Sequence, residues 1–142
     1  MAVSAHDKAI IRDLAKQVAE IGHHPQQAAN REMWKKHNSL QRVKPMVLVF
    51  PEGSWCELLP NDRVLKCRDP GLHGWEWHLR HLIYRWENLR DDNVIEPRVR
   101  VGPVYKGTGW GVAAKHTPST VERGAWGFDP VIKDSNDIKK LQ

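Results

Sequence analysis

The sequence predicts an α+β fold, with amino-terminal helices followed by short mixed strands. Three observations predict it. Apolar residues recur at three- and four-residue steps over 4–21 and again over 74–90, the mark of amphipathic helices. Pro45-Met-Val-Leu-Val-Phe50 is a continuous apolar run closed by Pro51, which favours a short buried strand. Residues 94–105 alternate between apolar and polar, the period of a half-exposed strand. The 142 residues fit one ordinary domain. They are too few for a complete eight-stranded α/β barrel, which takes at least about 200.

The first helix spans 4–21. Ser4 followed by Asp7 has capping-box spacing, with the shorter Asp in place of Glu or Gln. Ile10, Ile11, Leu14, Val18 and Ile21 form the stripe, and Gly22 stands where a left-handed cap is expected. Pro25 opens a second helix to about Lys36, with Ala29, Met33 and Trp34 near one stripe. After the strand at 45–50, residues 51–62 read as a loop and Val64–Cys67 as a second short strand. Asp69-Pro70-Gly71 is a turn signal. The helix at 74–90 has the clearest stripe: Trp75, Leu79, Leu82, Ile83, Trp86 and Leu89. Those six fall within a sector of roughly 120°. Glu76 and Arg80 are expected on its polar flank. In the alternating segment Pro97 and Pro103 require an edge or an interruption. Gly107-Thr-Gly-Trp-Gly111 reads as a turn, with a returning strand from Trp110, and Asp134 to Leu141 has the composition of a starting helix.

Charge and cysteine content narrow the function classes. Residues 1–44 carry 8 Lys/Arg against 4 Asp/Glu, and the remainder 14 against 13. That basic face is sparser than a phosphate-binding surface usually is, and basic and aromatic residues are not interleaved, so nucleic acid is not expected as a partner. No apolar run approaches the ~18 residues of a membrane span, and the amino terminus lacks a signal-peptide pattern. Cys56 and Cys67 at C-x10-C spacing are neither a disulfide framework nor a zinc knuckle. A reduced, cytoplasmic chain is the expectation.

Candidate chemistry is thin. His78 and His81, three apart on the strong helix with His73 just before it, have a spacing that can serve one metal. Both fall outside the apolar stripe and no third ligand is specified, so no metal site is assigned. Gly107-x-Gly-x-Gly111 lacks the Lys-Ser/Thr and the helix of a phosphate loop. Neither Ser54 nor Cys56 sits in a nucleophile context. The loop after the 45–50 strand is more promising, because pockets form at the carboxyl ends of strands in α/β folds. Glu52 and Trp55 would stand at its mouth; alternatively Trp55 packs under the loop and Glu52 is solvated. Asp91-Asp92 is either a carboxylate pair for a proton or cation, or a solvated exit turn. Glu52, Trp55 and Asp92 are the candidate substrate-binding positions; catalytic residues are not identified.

Four stretches carry a resemblance: Trp34-Lys-Lys-His-Asn38, Pro45-Met-Val-Leu-Val-Phe-Pro-Glu-Gly-Ser-Trp55, Asp91-Asp-Asn-Val-Ile-Glu-Pro97 and Gly124-Ala-Trp-Gly-Phe-Asp-Pro-Val-Ile132. Across roughly 25–142 the chain resembles the amino-terminal region of uroporphyrinogen-decarboxylase-like proteins. Within that group it is most similar to the bacterial branch of corrinoid-linked and cobalamin-independent methyltransferases. The resemblance implies a (β/α)8 barrel with an amino-terminal extension, of which this chain is the opening, incomplete part. Residues 1–44 would be the helical extension, and 45–142 the first strands and helix of the barrel.

The implied activity is transfer of a methyl group from a small methylated substrate to a corrinoid protein, with this portion inactive alone. A corrinoid protein and the remainder of the barrel would be the partners. This segment would bind no cofactor itself; corrinoid or zinc would belong to the full-length protein, since the His-x-Cys pair of zinc-using members does not occur here. Decarboxylases of the family carry an arginine-rich motif near the first strand. Phe50-Pro-Glu-Gly-Ser-Trp55 has no arginine there, which ranks a porphyrinogen-decarboxylase-type lyase below methyl transfer. A second class of function is a non-catalytic module for a small ligand or an acidic partner.

Overall fold

In a computed structural model, residues 3–107, 111–121 and 124–141 are described. The chain divides into two units, Met1–Arg100 and Val101–Gln142. The division falls far from residue 44, because the expected helical extension packs with residues 45–100 in one unit. The architecture is mixed: mostly helical, with one small antiparallel sheet.

Helix α1 is Ala5–Gly22. Ser4 caps it, its hydroxyl accepting from Asp7 N at 3.1 Å. The reciprocal half of the capping box is missing, because the Asp7 carboxylate instead accepts from Arg68 N at 2.9 Å and Asp69 N at 3.3 Å. Gly22 is not a left-handed cap either. It lies in the last helical turn, and the following His23 has φ −90°. Glycine is needed there for close approach: a Cβ would stand 2.6 Å from Pro97 N. Gly22→Ala should therefore lower stability by about 1–3 kcal/mol, the cost of overpacking, despite alanine's better helix propensity. A thermal melt that rises instead would show that Pro97 can give way.

Helix α2 is Pro25–Asn38, with Pro25 in its first turn and the His24 ring accepting from Gln26 N. Its buried residues are Gln27 and Asn30, while Ala29 is exposed and Met33 and Trp34 are half-buried. The expected apolar stripe is thus replaced by a polar face. That face reads irregular backbone: Gln27 Oε1 accepts from Ile95 N at 2.7 Å, and Trp34 Nε1 donates to Asp92 O at 2.7 Å. Leu40 follows the helix with φ 57°.

The expected strands in this unit do not form. Residues 41–51 are irregular, and Val47 and Phe50 are 55% and 69% exposed rather than buried. Their neighbour is the pair Asp91-Asp92, which offers carboxylates and one backbone bond (Asp92 N to Val47 O, 2.9 Å) in place of a ladder. The expected loop at 51–62 contains a 3-10 turn Glu52–Ser54 and helix α3, Trp55–Leu58. Helix α4, Asn61–Val64, begins inside the expected loop and ends at Val64, where a second strand was expected to begin. The backbone N–H groups of Lys66 and Cys67 then bond the Glu76 carboxylate instead of a strand.

Asp69 makes the expected turn, accepting from Gly71 N at 2.9 Å, and a 3-10 turn Pro70–Leu72 leads into helix α5, His73–Tyr84. A π-turn, Arg85–Leu89, extends it, ending at Arg90 with φ 49°. The core is Leu14 and Val18 of α1, Leu79 of α5 and Ile95, flanked by Ile10, Ile11, Ala15, Ile21, Leu82, Ile83 and Trp86. Each of the four buried side chains contributes roughly 1.5–3 kcal/mol before entropy. The periodic stripes of α1 and α5 therefore meet in this core. None of the tryptophans among the described residues is buried, and Trp75 of the stripe is exposed.

The second unit holds an antiparallel hairpin. Strand β1, Lys115–Thr117, pairs with β2, Gly127–Asp129, with His116 opposite Phe128. The alternating segment upstream has no strand on either side of residue 100, because its prolines remove ladder donors. A returning strand starting at Trp110 lies outside the described residues; the one observed begins at Lys115. The expected helix start at 134 is a 3-10 turn, Ser135–Lys140, capped by the Asp134 side chain on Asn136 N.

Candidate functional site

The three predicted positions do not converge. Trp55 lines an open groove of about 650 Å³ with Cys56, Leu59, Leu65, His73 and Trp77. Asp92 lines a separate cavity of about 500 Å³ with Gln26, Asn30, Trp86, Glu87, Arg90 and Asp91. Glu52 lines neither; it is exposed, at φ 47°.

The groove's Trp55 and Trp77 belong to a cluster of aromatic rings with His81 and Tyr84 of α5. Trp77 and His81, four apart on α5, stack at 5.1 Å with their planes 11° apart. The Trp55 ring meets His81 edge-on at 4.4 Å. Tyr84 closes on Trp55 at 5.8 Å. Burial lowers the His81 pKa, and the nearby Arg85 charge and His78 lower it further, so the imidazole is neutral at pH 7. Its Nδ1 is buried without a partner. His73 instead bonds Cys67 O at 2.9 Å through Nε2, and the His78 and His81 rings are 6.4 Å apart. Among the described residues no three His, Cys, Asp or Glu side chains gather as a metal site. The groove can hold an apolar or flat ligand, and among the described residues its Cys56 thiol bonds Gly53 O and its His73 ring Cys67 O rather than each other.

Cysteine chemistry is equally quiet. Both thiols are free. Cys67 is buried, and burial together with the adjacent Glu76 pushes its thiol up to about 12, so it is not a thiolate at neutral pH. The Cys56 thiol donates to Gly53 O at 3.0 Å.

The cavity beside Asp92 is polar, and the acidic pair is not a solvated exit turn. Asp92 accepts from Lys44 Nζ at 2.7 Å and Val47 N at 2.9 Å. Asp91 accepts from Val49 N at 2.9 Å and pairs with the buried Arg85 guanidinium. Phe50 covers that guanidinium, its ring centroid 5.8 Å from Arg85 Cζ. Lys44 and the Val47 N–H hold the Asp92 carboxyl below its usual range. The pair's first duty is therefore to latch the 45–50 segment, a role that neither sequence reading anticipated.

Glu76 was expected on a polar flank and is instead fully buried. Both its oxygens accept from Lys66 N, one also from Cys67 N, and Arg80 donates to it at 2.8 Å. Burial raises its pKa, but the Cys67 N–H, the Arg80 guanidinium and the Lys66 N–H outweigh this and leave it lowered. With Glu76 and Asp92 both depressed, the unfolded chain binds more protons than the folded one as pH falls through the ordinary carboxylate range, near pH 4. Their contribution is complete above about pH 5 and is lost through the lowered folded values. Thermal midpoints measured from pH 7 to pH 3 should fall steeply in the acid limb; a flat profile there would contradict the latch geometry.

Among the described residues no helix is long and apolar enough to cross a membrane. Comparison of the chain with protein-family models, with curated proteins and with solved structures gives no match, so the site stands on its own geometry.

Proposed function

We propose that this chain is the amino-terminal part of a uroporphyrinogen-decarboxylase-like barrel enzyme, a corrinoid-linked methyltransferase for a small methylated substrate. In this reading residues 45–50 are its first barrel strand. The observation that carries it is the half-satisfied edge of that segment. Val47 and Val49, two apart, turn their N–H groups to Asp92 and Asp91. Among the described residues the backbone groups of Met46, Leu48 and Phe50 have no protein partner, and the side chains of Val47, Leu48 and Phe50 are exposed. An apolar segment with one open hydrogen-bonding edge is an invitation to a neighbouring strand. The rest of the barrel would supply it.

The reaction rests on the resemblance carried by 34–38, 45–55, 91–97 and 124–132, not on a catalytic group in this chain. The absence of arginine from 50–55 favours methyl transfer over porphyrinogen decarboxylation. The His-x-Cys pair of zinc-using members does not occur in this sequence, so this reading assigns corrinoid and zinc binding to the remainder of the enzyme. What this chain contributes is the latched first strand and the walls around it.

The test joins this chain to barrel strands encoded next to it and incubates the product with reduced corrinoid and methylated amines or methoxylated aromatics. Methylcobalamin formation that requires both portions supports the proposal; none from a folded joined protein overturns it. The polar cavity beside Asp92 favours a second reading, a small-ligand module without catalysis. That reading expects ligand binding by the 142 residues and no methyl transfer.

A further inference from the structure

The cavity between α2 and the π-turn is lined by charged groups of both signs, and most of its polar atoms already have partners. Asn30 is used twice, its Oδ1 taking Gln26 Nε2 at 2.8 Å and its Nδ2 reaching Asn93 O at 3.4 Å. Asp91 and Asp92 are neutralised by Arg85 and Lys44 and occupied by backbone N–H groups. Four groups remain without a side-chain hydrogen bond or ion pair among the described residues: the terminal nitrogens of Arg90, the Glu87 carboxylate, the Trp86 indole N–H and Gln26 Oε1. One is a cation, one an anion, one part of an aromatic ring and one an acceptor.

We propose that this cavity binds a small zwitterion. The Arg90 guanidinium takes the carboxylate end, while the Trp86 face and Glu87 take the ammonium end. Arg90 Nε is tied to Glu87 O at 3.3 Å, which orients the guanidinium and leaves its outer nitrogens as a fork for a carboxylate. Tryptophan is the preferred ring for an alkylammonium, more so when the cation sheds water. The His24 ring packs against Trp86 with centroids 4.9 Å apart, holding the indole in place. Arg90 closes the π-turn with its N–H on Arg85 O at 3.1 Å and holds φ 49°, the left-handed conformation in which helices commonly end. Glycine fits that conformation without strain, whereas an L-residue there costs about 1 kcal/mol. The cavity, about 500 Å³, has room for a ligand of this class.

The proposal does not depend on methyl transfer, and the experiment separates the two. Trimethylglycine is titrated calorimetrically into the 142-residue chain, with tetramethylammonium chloride and sodium acetate as its two halves. Trimethylglycine should bind, and each half should bind at least about ten-fold more weakly, because each engages one arm of the site. Arg90→Gly is the decisive variant: its melting temperature should rise as the strain is removed while affinity falls at least about ten-fold. Glu87→Gln should weaken trimethylglycine and tetramethylammonium together. Arg90→Gln, which keeps the side-chain bulk, should lose affinity as Arg90→Gly does. Absence of trimethylglycine binding, equal binding of tetramethylammonium, or unchanged affinity in both Arg90 variants overturns the proposal. Methyl transfer by the joined enzyme would be untouched by any of these outcomes.

Discussion

Replacing Glu76 with alanine should destabilise the amino-terminal unit by about 3–5 kcal/mol, the range for removing one partner from a buried charged network. Three kinds of group lose their acceptor at once. The N–H groups of Lys66 and Cys67 bond only this carboxylate, and the Arg80 guanidinium, one-quarter exposed, pairs with it. Buried unsatisfied donors cost about 1–3 kcal/mol each. The irregular segment 65–69 has no ladder to fall back on, so it should detach from α5 as well. Glu76→Gln tests the charge separately. It retains one acceptor oxygen but turns an amide donor toward the same N–H groups, so its loss should be smaller than that of alanine. The Gln variant should also show a shallower loss of stability toward acid, because one depressed carboxyl is gone. Urea unfolding followed by circular dichroism would measure both, and an alanine variant within 1 kcal/mol of the parent, roughly the cost of an ordinary exposed pair, would refute the assignment.

The second large effect is expected at the Arg85–Asp91 pair. The side chains are 7% and 3% exposed, and Asp91 also holds Val49 N. Arg85→Met alone should cost about 3–5 kcal/mol, because it leaves the Asp91 carboxylate buried without its counter-charge. Asp91→Asn alone should be similarly harmful, stranding the guanidinium, whose Nε already lacks a partner. The double variant should recover much of the loss, since neither charge is then left alone. The recovery distinguishes ion pairing from simple loss of packing. The two single losses adding without interaction would mean that the pair is not coupled. Release of the 45–50 segment gives a second readout: Val49 N should lose protection from hydrogen exchange in Asp91→Asn.

Both predictions concern carboxylates that the sequence places poorly. Glu76 follows an i, i+4 pattern with Arg80, and that much is visible from spacing, but spacing cannot tell a surface pair from a buried one. Asp91-Asp92 looks like a helix exit until the 45–50 segment is brought alongside. Gln27 and Asn30 occupy the buried face of α2 because irregular backbone at 93–95 needs polar partners, and nothing local announces that need. The same cause explains the missing strands. Apolar content at 45–50 and alternation at 94–105 describe segments suited to pairing, but pairing takes a neighbour, and side-chain carboxylates and an amide take that place here. Spacing marks His81 only as a possible metal ligand and Trp77 not at all, for a related reason: both lie off the main stripe and gain their meaning only when Trp55 packs across them.

Local periodicity, caps and turn residues determine α1, α2, α5 and the Asp69 turn, because those signals act within a few residues and need no distant partner. Tertiary structure alone decides where Glu76, Asp91 and Asp92 end up and that Glu52, Trp55 and Asp92 stand in different places. It also decides why Gly22 must be glycine. Each of these depends on backbone beyond the reach of local periods, nine or ten residues away for Glu76 and more than forty for Asp91 and Asp92, yet a few ångströms away in space.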